Sequence, residues 1–313
     1  MTTNARLRAL VELADTGSVR GAAERLVVTE SSVSAAVSAL AADVGVPLVR
    51  RNGRGVLLTP AGERYAGYAR RILGLHDEAM AAARGEADPE RGLLRLAAVT
   101  TAGEHVVPAL LASFRVRHPN VTLRLEVAHR ARVWPLLAHH DVDLVLAGRP
   151  PDELAAGIRA VSPNTLLVVG PPGLAAGFAP AAATWLMREA GSGTRDTCEA
   201  LLAALEVDPP RLSLGSQGAV IAAAEAGLGV TLVSRQAVAR QLADGGLVEL
   251  PMTGAPLYRP WHAVSHPHAT AGTDLFVTHL LARPELGWTA PPPLADAATG
   301  RTASAARDRH ACP

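Results

Sequence analysis

The chain has 313 residues, a formal net charge of +1 and two cysteines, Cys198 and Cys312. The length suggests about two domains, the charge rules out a polycation, and two cysteines build no disulfide framework. No run of about 18 apolar residues occurs, and the opening MTTNARLRAL has no signal-peptide core, so the expectation is a cytoplasmic protein without a membrane partner.

In chain order, a first helix starts directly at the N-terminus. Ser18 is a good N-cap for a short Ala-rich helix from Val19 to Leu26. After a few non-helical residues a second helix opens near Glu30 and closes at Gly45. Two short helices joined by a tight turn, the first rich in small residues, have the form of a helix-turn-helix. Ala22 and Ala23 allow close approach, and Val33, Val37, Leu40 and Val44 bury one face of the second helix. Ser31, Ser34, Ala35 and Ser38 lie opposite, free to enter a major groove. Pro47 to Arg51, Arg54 and Val56 to Thr59 add a β wing whose arginines suit phosphate or minor groove. Residues 1 to 60 carry seven Arg and five acidic residues, so binding rests on where the arginines sit. All 30 basic residues are Arg, which together with the abundance of Ala reads as coding bias.

Thr59-Pro60 opens a long helix to about Arg84. Tyr68, Ile72, Leu75, Ala79 and Ala82 follow a 4-3-4-3 spacing, a short coiled-coil seam, with Arg64, Arg70, Arg71, Asp77 and Glu78 mostly off it. Pairing along this helix doubles the operator that one helix-turn-helix can read. Residues 86 to 92 form a polar hinge.

From Leu93 to about Trp288 strands and helices alternate. Strands are expected at Leu93–Val99, Val121–Val127, Val142–Ala147, Thr165–Val169 and Val230–Val233. Helices are expected at Glu104–Arg117, Val133–His139, Thr194–Leu205, Gln217–Ala226 and Arg235–Ala243. This is an open α/β arrangement with ligand sites at strand C-termini. Two stretches suit an anion: Thr100-Thr101-Ala-Gly-Glu-His105, at a strand-to-helix turn, and Arg188-Glu189-Ala-Gly191-Ser192-Gly193-Thr194-Arg195. Their hydroxyls and free N–H groups at helix starts are the reason. Arg195 adds a charge that either faces solvent or pairs with Glu189. His139, His140, His262, His266 and His268 read as surface histidines and not metal ligands. Cys198 reads as an ordinary helix thiol. No GxSxG, GxxxxGK[ST] or HExxH signature occurs, and no cofactor or enzymatic role is expected. The tail from Thr289 to Pro313 reads as disordered.

Gly17-Ser18, Ala22-Ala23, Leu26, Val33-Ser34, Leu40, Gly45, Leu48, Arg51, Leu58-Thr59 and Ala61-Gly62 together resemble the DNA-binding domain of LysR-type transcriptional regulators. TTAGEH with VVP, REAGSGTR, LGSQGAV and EAGLGVTLVS resemble the branch containing regulators of carbon-dioxide fixation and sulfur assimilation. The resemblance implies a winged helix-turn-helix domain (1–60), a linker and dimerisation helix (61–85), the hinge (86–92) and an effector domain (93–288). That domain would be a two-subdomain α/β unit of periplasmic-binding-protein type, its second subdomain spanning about 164–265. The two crossover strands would lie in the 160s and near Ser265 to Thr273. The implied activity is sequence-specific transcriptional regulation controlled by a small anionic metabolite. The implied partners are double-stranded DNA, further copies of the chain (a homodimer or homotetramer) and RNA polymerase. DNA-binding candidates are Ser18, Glu30, Ser31, Ser34, Ala35, Ser38, Arg50, Arg51, Arg54 and Thr59. Effector candidates are Thr100, Thr101, His129, Gly148, Ser192, Gly193, Thr194, Ser216, Gln217 and Thr231. The chain departs from the family at Glu30, usually Gln, and at Ala35, Ala36, Ala41 and Val49. Glu30 can accept from a cytosine amino group yet repels phosphate, which shifts the reading to Ser31 and Ser34. A solute-binding module on a helical dimeriser, without a DNA role, is the alternative.

Overall fold

The computed structural model describes residues 3–52, 55–87, 90–267 and 269–292. Arg54, His268, Cys312 and the expected tail beyond residue 292 lie outside the described residues. The N-terminal unit contains α1 (Thr3–Thr16), α2 (Val19–Leu26), α3 (Glu30–Val44), the antiparallel pair β1 (Val49–Asn52) and β2 (Gly55–Leu58), and the start of α4 (Pro60–Ala87). Its core joins Leu7, Leu10 and Leu13 of α1 to Ala22 and Ala23 of α2 and to Ala66, Ala69 and Leu73 of α4. From α3 the buried stripe is Val33, Ala36, Val37 and Leu40, the i, i+3, i+4, i+7 pattern of an amphipathic helix. Val44, expected in that stripe, is exposed, one residue before the left-handed cap at Gly45. A Cβ on Gly62 would stand 1.9 Å from the Leu48 carbonyl oxygen, so only glycine lets α4 start directly on the backbone leading into the wing.

α4 runs to Ala87, past the expected end near Arg84 and into the stretch expected as hinge. Gly85 alone costs a helix about 1 kcal/mol and does not stop one. While Ala66, Ala69 and Leu73 face α1, Tyr68, Ile72 and Leu75 are 62%, 50% and 55% exposed. Ala82, the last expected seam residue, lies outside the described side chains.

The larger unit follows as β3 (Leu93–Val99), α5 (Thr100–His105), α6 (Val107–Arg117), β4 (Thr122–Ala128), α7 (Arg130–Ala138), β5 (Leu144–Ala147) and β6 (Gly157–Ser162). Then come β7 (Thr165–Gly170), β8 (Trp185–Met187), α8 (Gly193–Ala204), β9 (Arg211–Ser213), α9 (Gln217–Glu225), β10 (Thr231–Ser234) and α10 (Ala239–Asp244). β11 (Val248–Glu249), β12 (Leu257–Tyr258), β13 (Trp261–Ser265) and α11 (Ala271–Leu281) complete it. The first subdomain is a sheet in the order β4-β3-β5-β13-β6, parallel from β4 to β5 and antiparallel at β13. The second has β10-β7-β11 with β12 also on β7, all antiparallel, beside a parallel β8–β9 pair.

Several expectations change here. The helix expected over Glu104–Arg117 is two helices broken at Val106, and the first begins already at Thr100. Pro108 has no N–H to donate back, which leaves the second helix to start afresh. The segment expected as the helix Arg235–Ala243 is a 3-10 turn, Arg235–Val238, followed by α10. The chain returns to the first subdomain between β12 and β13, not between Ser265 and Thr273. β13 therefore belongs to the first sheet, and the second subdomain ends before Trp261. β13 stops at Ser265 because Pro267 cannot donate to a ladder, and Thr270 then caps α11 by accepting from Thr273 N at 3.3 Å. The expected disordered tail is tied down at its start: Trp288 is buried, and Thr289 exchanges backbone hydrogen bonds of 2.8 and 2.9 Å with Val161. Among the described residues no single helix is long and apolar enough to cross a membrane.

Candidate DNA-reading head and effector cleft

The axes of α2 and α3 differ by 106°, within the range of a helix-turn-helix. Ser18 Oγ accepts from Gly21 N at 3.0 Å, so this DNA-binding candidate is also the α2 cap. Thr29, missed in the sequence, caps α3 by accepting from Ser32 N at 3.2 Å. It also shares hydrogen bonds with the hydroxyls of Ser31 (2.9 Å) and Ser32 (2.8 Å). A Thr directly before an acidic first helical residue was the signal. Glu30, Ser31, Ser34, Ala35 and Ser38 are all exposed. Arg50 and Arg51 are exposed on β1, and as neighbours on a strand they point to opposite faces. The Thr59 hydroxyl is engaged internally, donating to Pro47 O (2.8 Å) and accepting from Gly62 N (3.0 Å), so its place is as the α4 cap and not as a free contact.

Between the two subdomains lies a cleft with about 600 Å³ of space, part of it open to solvent. Seven of the ten effector candidates border it: Thr100, Thr101, His129, Gly148, Ser192, Gly193 and Thr194. They come from the C-terminal ends of β3, β4 and β5 and from the start of α8. α7 and α8 both begin at the cleft, and neither has a side-chain cap on its first N–H groups. Uncapped helix starts concentrate positive potential.

The other three candidates do not border the cleft. Ser216 is exposed and caps α9 through Ala219 N (3.2 Å). Thr231 is buried and donates to the Leu186 carbonyl at 2.9 Å, tying strands of its own subdomain together. Gln217 is buried behind the wall. Its Oε1 accepts from Thr101 of the first subdomain (2.5 Å) and from Arg188 Nη1 of the second (2.7 Å), and its Nε2 has no partner among the described residues.

Of the charged residues of the wall, Arg188 opens the second anion-suited stretch, while Arg130 and Arg259 were missed in the sequence. Arg130, Arg188 and Arg259 all border the cleft, with Asn164, Thr197 and Trp261, and no carboxylate among the described residues does. Arg188 is only 5% exposed. Glu189 holds it bidentately, accepting from Nε at 2.8 Å and Nη2 at 2.6 Å, while the carboxyl is drawn below its ordinary range by those bonds. Arg195 therefore does not pair with Glu189. It donates to Glu199 Oε1 (2.8 Å) and to the Arg188 carbonyl (3.1 Å). Arg130 Nη1 donates to Arg149 O at 2.8 Å, and the Arg259 side chain makes no hydrogen bond among the described residues. Asn164 bridges the crossover, donating to Arg259 O (2.8 Å) and accepting from Ser234 Oγ (2.7 Å).

Cys198 is buried against Met187, and burial pushes its thiol up to about 12. A thiol with so little thiolate is a poor redox sensor. Two of the histidines expected at the surface instead meet: His140 stacks on His266 with centroids 3.8 Å apart, and His140 Nδ1 bonds Glu78 of α4.

Two family models match the chain. The LysR substrate binding domain covers residues 87–285, and the bacterial regulatory helix-turn-helix protein, lysR family, covers residues 5–63. The HTH-type transcriptional regulator CbbR of Rhodospirillum rubrum is 35% identical over 257 residues, 79% of this chain and 84% of that one. The RuBisCO operon transcriptional regulator of Allochromatium vinosum is 33% identical over 83% of this chain and 88% of that one. Among solved structures, the regulatory domain of Synechocystis PCC6803 CcmR in complex with 2-PG is 27% identical with a TM-score of 0.57. It covers 61% of this chain and 96% of that one.

Proposed function

Because the chain belongs to the LysR family of transcriptional regulators, we propose that it reads a two-part operator as a homodimer under the control of a small anion held in the cleft. The observation that carries the effector class is the cleft wall: three arginines, five hydroxyl side chains or glycines from two helix starts, and no carboxylate among the described residues. Such a wall repels cations and suits an oxyanion. CcmR, whose regulatory domain is similar to this one, binds 2-PG, which makes 2-PG the first compound to try. Dimerisation has its support in Tyr68, Ile72 and Leu75, exposed in a row along α4, and a tetramer would need further contacts between effector domains. Ser31, Ser34 and Ser38 with Arg50 and Arg51 then read and hold each half-site. The operator belongs before carbon-fixation genes, as the relatives' names suggest, with RNA polymerase as the partner at the promoter.

Calorimetric titration of the full chain with 2-PG and with inorganic phosphate tests the effector class. Fluorescence anisotropy on the DNA upstream of the adjacent gene, with and without each anion, tests the response. Saturable binding of at least one anion, with a changed DNA affinity, is expected. Absence of binding by both at millimolar concentration would overturn the anion assignment and leave the DNA reading standing.

A further inference from the structure

α7 makes a close contact at each end. Its first turn packs on the glycine loop of the second subdomain. A Cβ on Gly193 would stand 3.2 Å from Arg130 Cδ and 3.8 Å from Arg130 Cβ, and one on Gly191 would stand 3.3 Å from His129 Nδ1. Its last turn runs into His139 and His140, which lie on α4. A Cβ on Gly74 would stand 2.0 Å from the His139 carbonyl oxygen and 2.6 Å from His140 Cβ, so linker helix and turn touch backbone to backbone. His140, in the left-handed region at φ 61°, binds Glu78 of α4 and stacks on His266. His266 Nε2 in turn bonds the Leu137 carbonyl at 2.6 Å, pinning the end of α7.

Between these ends α7 is seated firmly. Val133, Trp134 and Leu137 are buried in one cluster with Ala97, Val145 and Ala147 of the first sheet. Pro135 removes one hydrogen bond from the helix, but packing on the sheet keeps it in line. Nine residues at 1.5 Å each span roughly 13 Å from cleft to linker.

The geometry points to α7 as the strut that couples the cleft to the DNA-binding domain. Movement of the second subdomain against Arg130 passes along α7 to Gly74 and Glu78, and so to the tilt of the helix carrying the reading head. Close-packed elements transmit displacement because they have discrete arrangements and no slack. Gly74 is the bearing surface, where any side chain would lift the linker helix off the turn. The inference rests on reading the cleft as the effector site, yet its test needs no effector.

A Cβ–Cβ separation of 3.8 Å suits a disulfide. The variant Arg130→Cys/Gly193→Cys, made with Cys312→Ser, ties the cleft shut when oxidised, and the same protein reduced is its control. On one promoter fragment, oxidised and reduced forms should differ in DNA affinity by about fivefold or more, the lower end of ordinary allosteric coupling. Amide exchange in residues 70–78 should change with it. Adding Gly74→Ala, or separately Glu78→Gln, should abolish the difference while both forms still bind DNA. Glu78→Gln keeps the close approach and decides the matter if Gly74→Ala does not fold. Equal affinities, with oxidation verified by thiol titration, overturn the coupling, as does a difference that survives both additions. A disulfide that does not form overturns the contact itself. None of these outcomes depends on whether 2-PG or phosphate binds.

Discussion

Arg188 is a buried cation made tolerable by its neighbours. Glu189 takes two of its nitrogens and Gln217 a third, so its position is set before any ligand arrives. Hydrogen bonds to charged groups are worth about 1.5–3 kcal/mol, so Arg188→Gln should weaken anion binding by roughly 10- to 100-fold. Titration calorimetry measures this, and an unchanged affinity would remove Arg188 from the site. DNA binding without effector should be retained, because the reading head is in a separate core. Cys198 has the opposite character. With its thiol pushed up to about 12, it should resist alkylation at pH 8 in the folded protein and react only after unfolding. Mass spectrometry of the labelled native chain checks this, and rapid native labelling would reopen a redox role.

Elements carry the DNA side. The exposed face of α3 is nearly uncharged and includes Glu30, so the wing arginines matter more than the helix for phosphate affinity. Arg51→Ala should weaken binding evenly across DNA sequences and reduce the slope of log affinity against log salt by about one. An unchanged slope would mean that Arg51 touches no phosphate. On α4, Ile72→Glu with Leu75→Glu would place like charges across a paired seam. Sedimentation should then show monomer and DNA affinity should fall steeply, whereas an intact dimer would shift the interface elsewhere. The buried stripe of α3, the Ser18 cap and the strand alternation at Thr122–Ala128 could be read from spacing alone, because periodicity within one element is a local property. The break at Val106 was missed although Pro108 was its signal: fifth in the expected helix Glu104–Arg117, it has no N–H to return to Glu104 and fits only the first turn of a helix that starts later.

Across the whole molecule, burial holds His139, His140, His262 and His279 below the ordinary histidine range. The folded state therefore takes up fewer protons than the unfolded chain once pH drops below about 6.5. Their stabilising contribution is present above that pH and is lost as pH falls, with the Glu78 bond to His140 opposing part of the loss. Glu189 acts in a lower window: its depressed pKa contributes stability above the ordinary carboxylate range, about 4.3, lost on further acidification. Asp141 opposes the histidines, because burial raises its carboxyl to about 6 and the folded state gains a proton there as pH falls. With four histidines against one carboxyl, the thermal midpoint should fall between pH 7.5 and 5.5 by calorimetry, and His140→Gln should lessen the fall. A midpoint that rises over this interval would contradict the assignment.

By itself the sequence determined the winged helix-turn-helix, the linker helix and the hydroxyl-rich half of the cleft. Each of these is written in short-range spacing: caps, apolar stripes, and Ser or Thr beside glycine at a helix start. Tertiary structure alone brought Arg130 and Arg259 to the cleft beside Arg188, which opens the second anion-suited stretch. The three stand on distant segments, and an isolated arginine in a sequence reads as surface. It also decided which expected ligands are structural. Ser216, Thr231 and Thr59 have the right chemistry, but each hydroxyl has a backbone partner nearer than the site. The meeting of His140 with Glu78 and His266 lies furthest beyond the sequence, since long-range contacts arise from the packing of whole domains and leave no local pattern.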